Sequence, residues 1–429
     1  MLFKFIYLLG ERLKNPLIRK HYKSLIKSDF DSLEVLETLQ LKQLKILLLH
    51  AKKYAPYYKQ VLNGFDIESM SLNDLQKIPL LTRETLRSKA SEIQNNPFGE
   101  KLVKSKSSGS TSKALLFERN KEWEAAHRAA QLRGYSWYGV NPWDENLYFW
   151  GFNPALKDLV KIKLLDFFMN RIRVFSYKDS DLEKISKTLK HCKFIEGYSS
   201  SIFTLAQYLE KSKKHYSNIK FIKGTSEKIF DYYHEPVEAV FNQKIISEYG
   251  AAEAGIIAFE CPEGSMHISM ENMIIEEING KIYITNLFST SFPIVRYELG
   301  DEIVLERQEK CRCGRKHHVI KEVIGRIGQM IEGEEENYPT ATLSYISKTL
   351  AAKHDLKIAY FAKQYEKGKL ILDVICEMED KSLAQEIILK VAQEYYTNDL
   401  DISINFIDKI ERGNKKITYF ESYINKDGK

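Results

Sequence analysis

Apolar positions change their spacing along this chain of 429 residues, and each change marks a different kind of element. From residue 1 to about 95 they recur at intervals of three and four, as in LKQLKILLLHAKKYAPYYKQVL, which predicts a helical N-terminal segment. Pro79 and Thr82 in DLQKIPLLTRETLR predict a turn into a capped helix. Between Leu102 and Gly300 short β-type runs alternate with helical stretches: LYFWGF, a helix from Asp181 to His191, KFIEGY, a helix from Ser200 to Lys211, then KIISEYG. That alternation predicts an α/β domain with substantial parallel sheet. KIYITNLF and FPIVRYELGDEIVLE add strands rich in β-branched and aromatic residues. After Gly325 the pattern shifts again. KIAYFAKQYEKGKLILDVICEM predicts a hairpin turning near Lys367 and Gly368, KSLAQEIILKVAQEYY a helix, and DISINFIDKI a strand. The expected organisation is a large, multi-layer α/β domain over residues 1–325 and a small α+β domain over residues 326–429.

Composition narrows the class. Apolar residues at 44% and charged residues at 28% are ordinary for a globular protein and exclude disordered or fibrous chains. Lys and Arg exceed Asp and Glu by six, an excess read as spread along the chain, with no basic stripe or aromatic RNA-binding motif, so no nucleic-acid partner is expected. Scattered cations suit a small anionic substrate such as ATP. No run approaches the roughly 18 apolar residues of a membrane span. The opening MLFKFIYLLGERLK is short, is interrupted by Lys4 and lacks a small-residue cleavage site. It is expected to be an amphipathic helix capping the N-terminal domain, with a membrane-surface anchor as the alternative. Five unevenly placed cysteines argue against a secreted disulfide framework, and a cytoplasmic location is expected.

Four polar, glycine-bearing segments carry candidate chemistry. In SKSSGSTSK, the hydroxyls of Ser107, Ser108, Ser110 and Thr111 surround Gly109, where the backbone can bend closely around phosphate oxygens. It is not a Walker A loop, because Lys113 follows Ser112 rather than preceding a Ser or Thr at a helix start. EYGAAEAG follows an apolar strand, so Tyr249 is expected at a strand end, where its ring can stack on a purine and Glu253 can hold a magnesium ion bridging phosphates. In RYELGD, Asp301 follows an expected tight turn at Gly300 and can accept hydrogen bonds from both ribose hydroxyls. A solvated serine-rich turn, a core tyrosine and an ordinary acidic turn are the plainer alternatives. GRIG from Gly325 and the basic GNKK near residue 415 complete the series.

SSGSTS, EYGAAEAG, ITNLF with PIVRYELGD, and CRCGRKHHVIKEVIGRIGQM resemble, in that order, segments of the phenylacetate-CoA ligase-like branch of the adenylate-forming (ANL) superfamily, including relatives encoded with polysaccharide genes. LLLHAKKYAPYYKQVL, DLQKIPLLTRETLR and RAAQLRGYSWYGV are similar to the family's N-terminal part, so the resemblance covers nearly the whole chain. It implies a large adenylate-forming domain and a small mobile C-terminal lid. By the resemblance, Ser107 to Thr111 would cradle the ATP phosphates, Tyr249 with Gly250 would border adenine, and Glu253 would ligate Mg2+. Asp301 would bind ribose, Arg326 would contact the nucleotide, and Lys415, or alternatively Lys416, would stabilise charge as pyrophosphate leaves. The implied activity is AMP-forming activation of a small carboxylic acid, with coenzyme A as acyl acceptor. An amine acceptor, in cell-surface polysaccharide modification, is the alternative, and a non-catalytic nucleotide-binding scaffold is the rival from another class. A homodimer is entertained. This chain departs from the family pattern at Ser112, where glycine is usual, at Gly328 and Gln329, where two aspartates are usual, and at Ala251 and Ala252, where small hydroxyl residues are usual.

Cys261 and His267, together with Cys311 and Cys313, offer three thiolates and an imidazole, a set that closes a tetrahedral structural zinc site. Reduced thiols in turns are the plainer alternative, and His317 or His318 are alternative fourth ligands. Cys192 and Cys376 lie in apolar runs and are expected in the core. Acyl specificity is expected near YFWGF, Tyr198 and Ala251.

Overall fold

The structure is a computed structural model that describes residues 2–106, 115–149, 156–174, 179–226, 229, 231–306, 311–324, 330–356, 358–376, 378–408 and 420–424. The helical N-terminal segment is present as α1 (Leu2–Lys14), α2 (Leu17–Ser28), α3 (Leu33–Tyr54), α4 (Pro56–Val61), α5 (Arg83–Ser88) and α6 (Ala90–Ile93). Ser32 caps α3 by accepting from the Val35 N–H, and Thr82 caps α5 by accepting from the Thr85 N–H. Pro56 opens α4, where its missing N–H is no loss. The strands β1 (Val103–Lys106) and β2 (Leu116–Arg119) pair antiparallel, with Lys106 opposite Leu116, and the helix α7 (Lys121–Trp137) follows.

Residues 143–246 alternate strand and helix as expected: β3 (Asn146–Phe149), α8 (Leu156–Phe168), β4 (Arg171–Arg173), α9 (Asp179–Ser186), β5 (Phe194–Tyr198), α10 (Ser199–Lys211), β6 (Phe221–Thr225) and α11 (His234–Phe241). The four strands are parallel in the order β6-β5-β3-β4, because each is reached by a helical crossover. Leu147, Ile195 and Ile222 pack with Ile202, Leu205 and Ala206 of α10 in one apolar cluster. Cys192 lies in that cluster, as expected.

The parallel sheet does not continue to Gly300. The strands β7 (Ile245–Ala251), β8 (Gly255–Glu260), β9 (Met266–Ile268), β10 (Met273–Ile278), β11 (Lys281–Asn286), β12 (Tyr297–Glu306) and β13 (Val319–Ile324) form antiparallel pairs in the order β10-β11-β12-β13-β9-β8-β7. Short connections enforce this. Asn279 and Gly280, at φ 53° and 77°, make a two-residue turn that brings Ile278 opposite Lys281. Register shifts interrupt the β7/β8, β11/β12 and β12/β13 pairs, and such bulges raise local twist.

The last part contains β14 (Met330–Glu332), β15 (Asn337–Pro339), α12 (Ala341–His354), β16 (Ile358–Gln364), β17 (Lys369–Cys376), α13 (Lys381–Tyr396), β18 (Asp401–Phe406) and β19 (Phe420–Ser422). The hairpin, helix and strand expected here are β16 with β17, α13 and β18, and Gly368 takes φ 75° at the turn. α12 and the β14/β15 hairpin have no counterpart among the expected elements. Buried Leu350, Leu372, Val374, Ile388 and Val391 form the core together with Cys376, as expected.

The chain divides into two compact units. One comprises the described parts of 1–142 and 247–325, the other those of 143–246 and 326–429. Within the second unit, the Tyr198 ring packs edge-on against Tyr345 of α12, with centroids 5.7 Å apart.

Candidate active site

Two strands four steps apart in the sheet order meet through their side chains. The Tyr249 hydroxyl on β7 donates to Asp301 Oδ2 on β12 at 2.8 Å, with β8, β9 and β13 intervening in the sheet order. In a flat sheet four steps span roughly 19 Å, more than these two side chains can bridge. The sheet is therefore curled, and the curl builds a corner.

Each residue of the corner is set by local backbone geometry. Lys281 pairs with Glu302 and Tyr283 with Glu298, so Leu299, Gly300 and Asp301 stand opposite Ile282 alone. Gly300 takes φ 85° in this bulge. The expected tight turn is thus a bulge inside a continuous strand, which re-aims the buried Asp301. Tyr249 likewise lies within β7 rather than at its end, half-buried, with Gly250 exposed beside it. A Cβ at Gly250 would meet the Gly255 carbonyl oxygen at 2.7 Å, so the hairpin needs glycine there. Beyond Ala251 the chain turns tightly, closed by the Ala254 N–H on the Ala251 carbonyl, and carries the buried Glu253. No hydrogen bond reaches the Glu253 carboxylate among the described residues. Burial pushes the Tyr297 phenol up to about 12, with Glu253 adding to the shift and Arg83 and Arg87 opposing it, so carboxylate and cations converge at the start of β12. Arg119, at the end of β2, donates to the Ala252 carbonyl at 2.9 Å and ties the β1/β2 hairpin to the tip that holds Glu253.

Tyr249, Gly250, Glu253 and Asp301 are thus brought into one region. Ser107, Ser108, Gly109, Ser110 and Thr111, in the segment joining β1 to β2, lie outside the described residues, as do Ser112, Arg326, Gly328, Gln329, Lys415 and Lys416. Of the expected acyl-pocket residues, Phe149 is core, Trp150 to Phe152 lie outside the described residues, and Tyr198 contacts Tyr345.

A second cluster gathers the four expected metal ligands. The ligand atoms of Cys261, His267, Cys311 and Cys313 all lie within 4.8 Å of one another. Cys261 Sγ is 3.6 Å from Cys311 Sγ, and Cys313 Sγ is 3.2 Å from His267 Nε2. Two C-x-x-G turns present the sulfurs: the Gly264 N–H binds the Cys261 carbonyl, the Gly314 N–H binds that of Cys311, and both glycines take positive φ. His267 enters from β9 with Nδ1 facing the His317 carbonyl oxygen at 3.5 Å. Burial, with His317 adding, lowers the His267 imidazole to about 4, which keeps it neutral. Burial pushes the Cys261 thiol up to about 12. At Cys311 burial acts the same way, but the Ser265 hydroxyl and the Cys313 backbone outweigh it and lower the thiol.

His317 and His318 do not join the cluster. His317 Nε2 is instead 3.1 Å from Glu271, whose Oε1 also accepts from Arg133 at 2.8 Å and from the Ser28 hydroxyl at 2.5 Å. Burial would raise the Glu271 carboxyl, but Arg133 and His317 hold it well below the usual carboxylate range. Arg315 and Trp137 both donate to Asp29 Oδ2 at 2.9 Å, and Arg315 lies 4.1 Å from the Trp137 ring centroid. This network of two buried arginines and two buried carboxylates was missed in the sequence. Arg133, in a helix otherwise rich in alanine, and Arg315, inside the cysteine segment, were its visible signals.

No protein-family model matches the chain. Among solved structures it is similar to 2-hydroxyisobutyryl-CoA ligase. The complex with 2-HIB-AMP and CoA in the thioesterification state matches at 16% identity and TM-score 0.60, covering 93% of this chain and 92% of that one. The complex with R3-HIB-AMP in the postadenylation state matches at 14% identity and TM-score 0.58, covering 92% and 91%. The chain has the α/β fold of the adenylate-forming acyl-CoA ligases. In sequence it is homologous to Protein CapK of Staphylococcus aureus, 22% identical over 421 residues that cover 91% of this chain and 90% of that protein.

Proposed function

We propose that the chain is an AMP-forming acid ligase of the phenylacetate-CoA ligase-like branch, acting in two steps. A carboxylate oxygen attacks the α-phosphorus of Mg-ATP and the bond to the departing pyrophosphate breaks, giving acyl-AMP. The thiol of coenzyme A then attacks the acyl carbon, and AMP leaves with the electron pair. The observation that carries this reading is the Tyr249–Asp301 pair beside the buried Glu253, in a chain with this fold. Asp301 accepts from the Tyr249 phenol, and a carboxylate with several lone-pair sites suits the two ribose hydroxyls. Glu253, buried at the hairpin tip, would hold a magnesium ion, which would neutralise charge on the ATP phosphates. Tyr249 and Gly250 border the base, Ser107 to Thr111 cradle the phosphates, Arg326 contacts the nucleotide and Lys415 neutralises charge as pyrophosphate departs.

Cys261, His267, Cys311 and Cys313 belong, in this reading, to a structural zinc site. The donor set fits: three sulfurs and one neutral imidazole converge, a dication would replace the thiol protons, and four protein ligands leave no open position. Metal analysis of protein never exposed to chelator should find one zinc per chain. Zinc-free, fully folded protein would overturn the assignment.

Acid-dependent exchange of labelled pyrophosphate into ATP, screened over aryl, fatty and amino acids, tests the activity. Exchange with at least one acid is expected, followed by AMP release when coenzyme A is added. AMP release with amines but not with coenzyme A would transfer the proposal to amide formation. ATP binding without exchange across the panel would leave a scaffold.

A further inference from the structure

The net charge of the chain is not spread along it. Residues 2–28 hold seven Lys or Arg and one acid, Glu11, and the remaining residues hold equal numbers of each sign. The whole excess of six therefore sits on α1 and α2. Nor is the outer face of α1 polar. Leu2, Phe5, Leu9 and Leu13 are 63%, 67%, 46% and 77% exposed, and their spacing of three and four puts them on one stripe. The opposite face is fixed to its own unit. Tyr7 and Glu11 are buried there, Arg128 donates to the Tyr7 hydroxyl at 3.3 Å, and Arg19 forks onto Glu11 at 2.9 and 3.1 Å. Lys4, Arg12 and Lys14 are exposed on α1, and Lys20, Lys23 and Lys27 form an exposed row on α2.

We infer that α1 and α2 dock this protein on an anionic lipid surface, with the α1 stripe entering the interface and the basic residues meeting the headgroups. A helix with an apolar face, basic flanks and low overall hydrophobicity lies in the interfacial plane. No helix of the described residues is long and apolar enough to cross a membrane, so the attachment is to a surface. Charge selects lipid over the other occupants of an apolar face. A second copy would bring the same six-charge excess against itself, and nucleic acid has no use for four exposed aliphatic and aromatic side chains in a row. A lipid surface satisfies both features, because anionic headgroups attract the lysines and arginines while the acyl boundary takes up the apolar stripe.

Flotation of the full chain with vesicles tests this, using phosphatidylcholine alone or with one-third phosphatidylglycerol. Binding is expected to the anionic vesicles and to fall with added salt. A Phe5→Ser, Leu9→Ser double variant should bind about tenfold or more weakly, and because both positions are exposed its melting temperature should not move. Lys20→Glu with Lys23→Glu and Lys27→Glu should remove the preference for anionic lipid. Phe5→Trp should give a blue-shifted emission on adding anionic vesicles. The matched Val160→Ser, Leu164→Ser variant, on the exposed apolar face of α8, should bind as wild type. Equal binding to both vesicle types, unchanged binding by the Phe5 and Leu9 variant, or loss through the α8 variant would overturn the inference. So would a stable dimer, seen by light scattering, that the Phe5 and Leu9 variant dissociates. Pyrophosphate exchange serves as a separate readout, so failure of the ligase proposal and failure of lipid docking are distinguishable.

Discussion

The cysteine-histidine cluster and the Tyr249–Asp301 corner lie in the same compact unit but are built on opposite principles. At the cluster the ligand atoms converge within 4.8 Å and are backed by a buried charge network that clamps α2, α7 and the cysteine turn together. At the corner the side chains depend on sheet curvature, a bulge at Gly300 and a tight turn carrying Glu253. A cluster saturated by its own ligands can hold shape but has no position to offer a substrate. A corner whose buried carboxylate has no hydrogen-bond partner among the described residues has acceptor capacity for an incoming ligand. Under the proposed function, the difference separates a part that stabilises from a part that binds.

The comparison breaks most severely if the charge network is cut. Arg133→Ala leaves Glu271 and Asp29 short of a buried partner and should destabilise by about 3–5 kcal/mol in urea unfolding. A loss under about 1 kcal/mol would mean that the network is incidental to the cluster. Cys311→Ser should strip the proposed zinc and lower the Tm by about 5 °C or more, with adenylation per folded molecule preserved. If exchange per folded molecule falls with the metal, the cluster is not merely structural. Tyr249→Phe removes the donor to Asp301 and should raise the KM for ATP roughly five- to tenfold, about 1 kcal/mol, with metal content unchanged. An unaltered KM would detach the pair from nucleotide binding. Gly300→Ala should have the smallest effect, about 1 kcal/mol of stability, because a Cβ there meets nothing within 4 Å and only the backbone conformation resists it. A larger loss would mean that the bulge is more tightly constrained than its surroundings indicate.

Much of the fold was legible where local pattern decides it. Thr82 caps its helix, Gly368 turns the expected hairpin, and the alternation of residues 143–246 yields parallel strands. The antiparallel pairing of the strands after Ile246 was not part of the sequence expectation, although Asn279-Gly280 is itself a hairpin signal. The ligand types at the cysteine-histidine cluster were readable from chemistry, with His267 favoured over His317; the reason His317 stays out, its contact with Glu271, was not readable. Tyr249 and Asp301 were singled out separately. Their hydrogen bond follows from bulges that change register over single residues, which no hydrophobic period records. The charge excess, expected to be dispersed, is concentrated in residues 2–28, a bias that the whole-chain balance hides.

Acid-dependent pyrophosphate exchange by Glu253→Ala, compared with wild type at matched zinc content and matched melting temperature, tests the central division most directly. If the corner performs adenylation and the cluster only holds it in shape, exchange falls by roughly 10²-fold while metal and stability stay as in wild type. Exchange at the wild-type rate would contradict the account, because the buried carboxylate at the hairpin tip would then have no part in the chemistry.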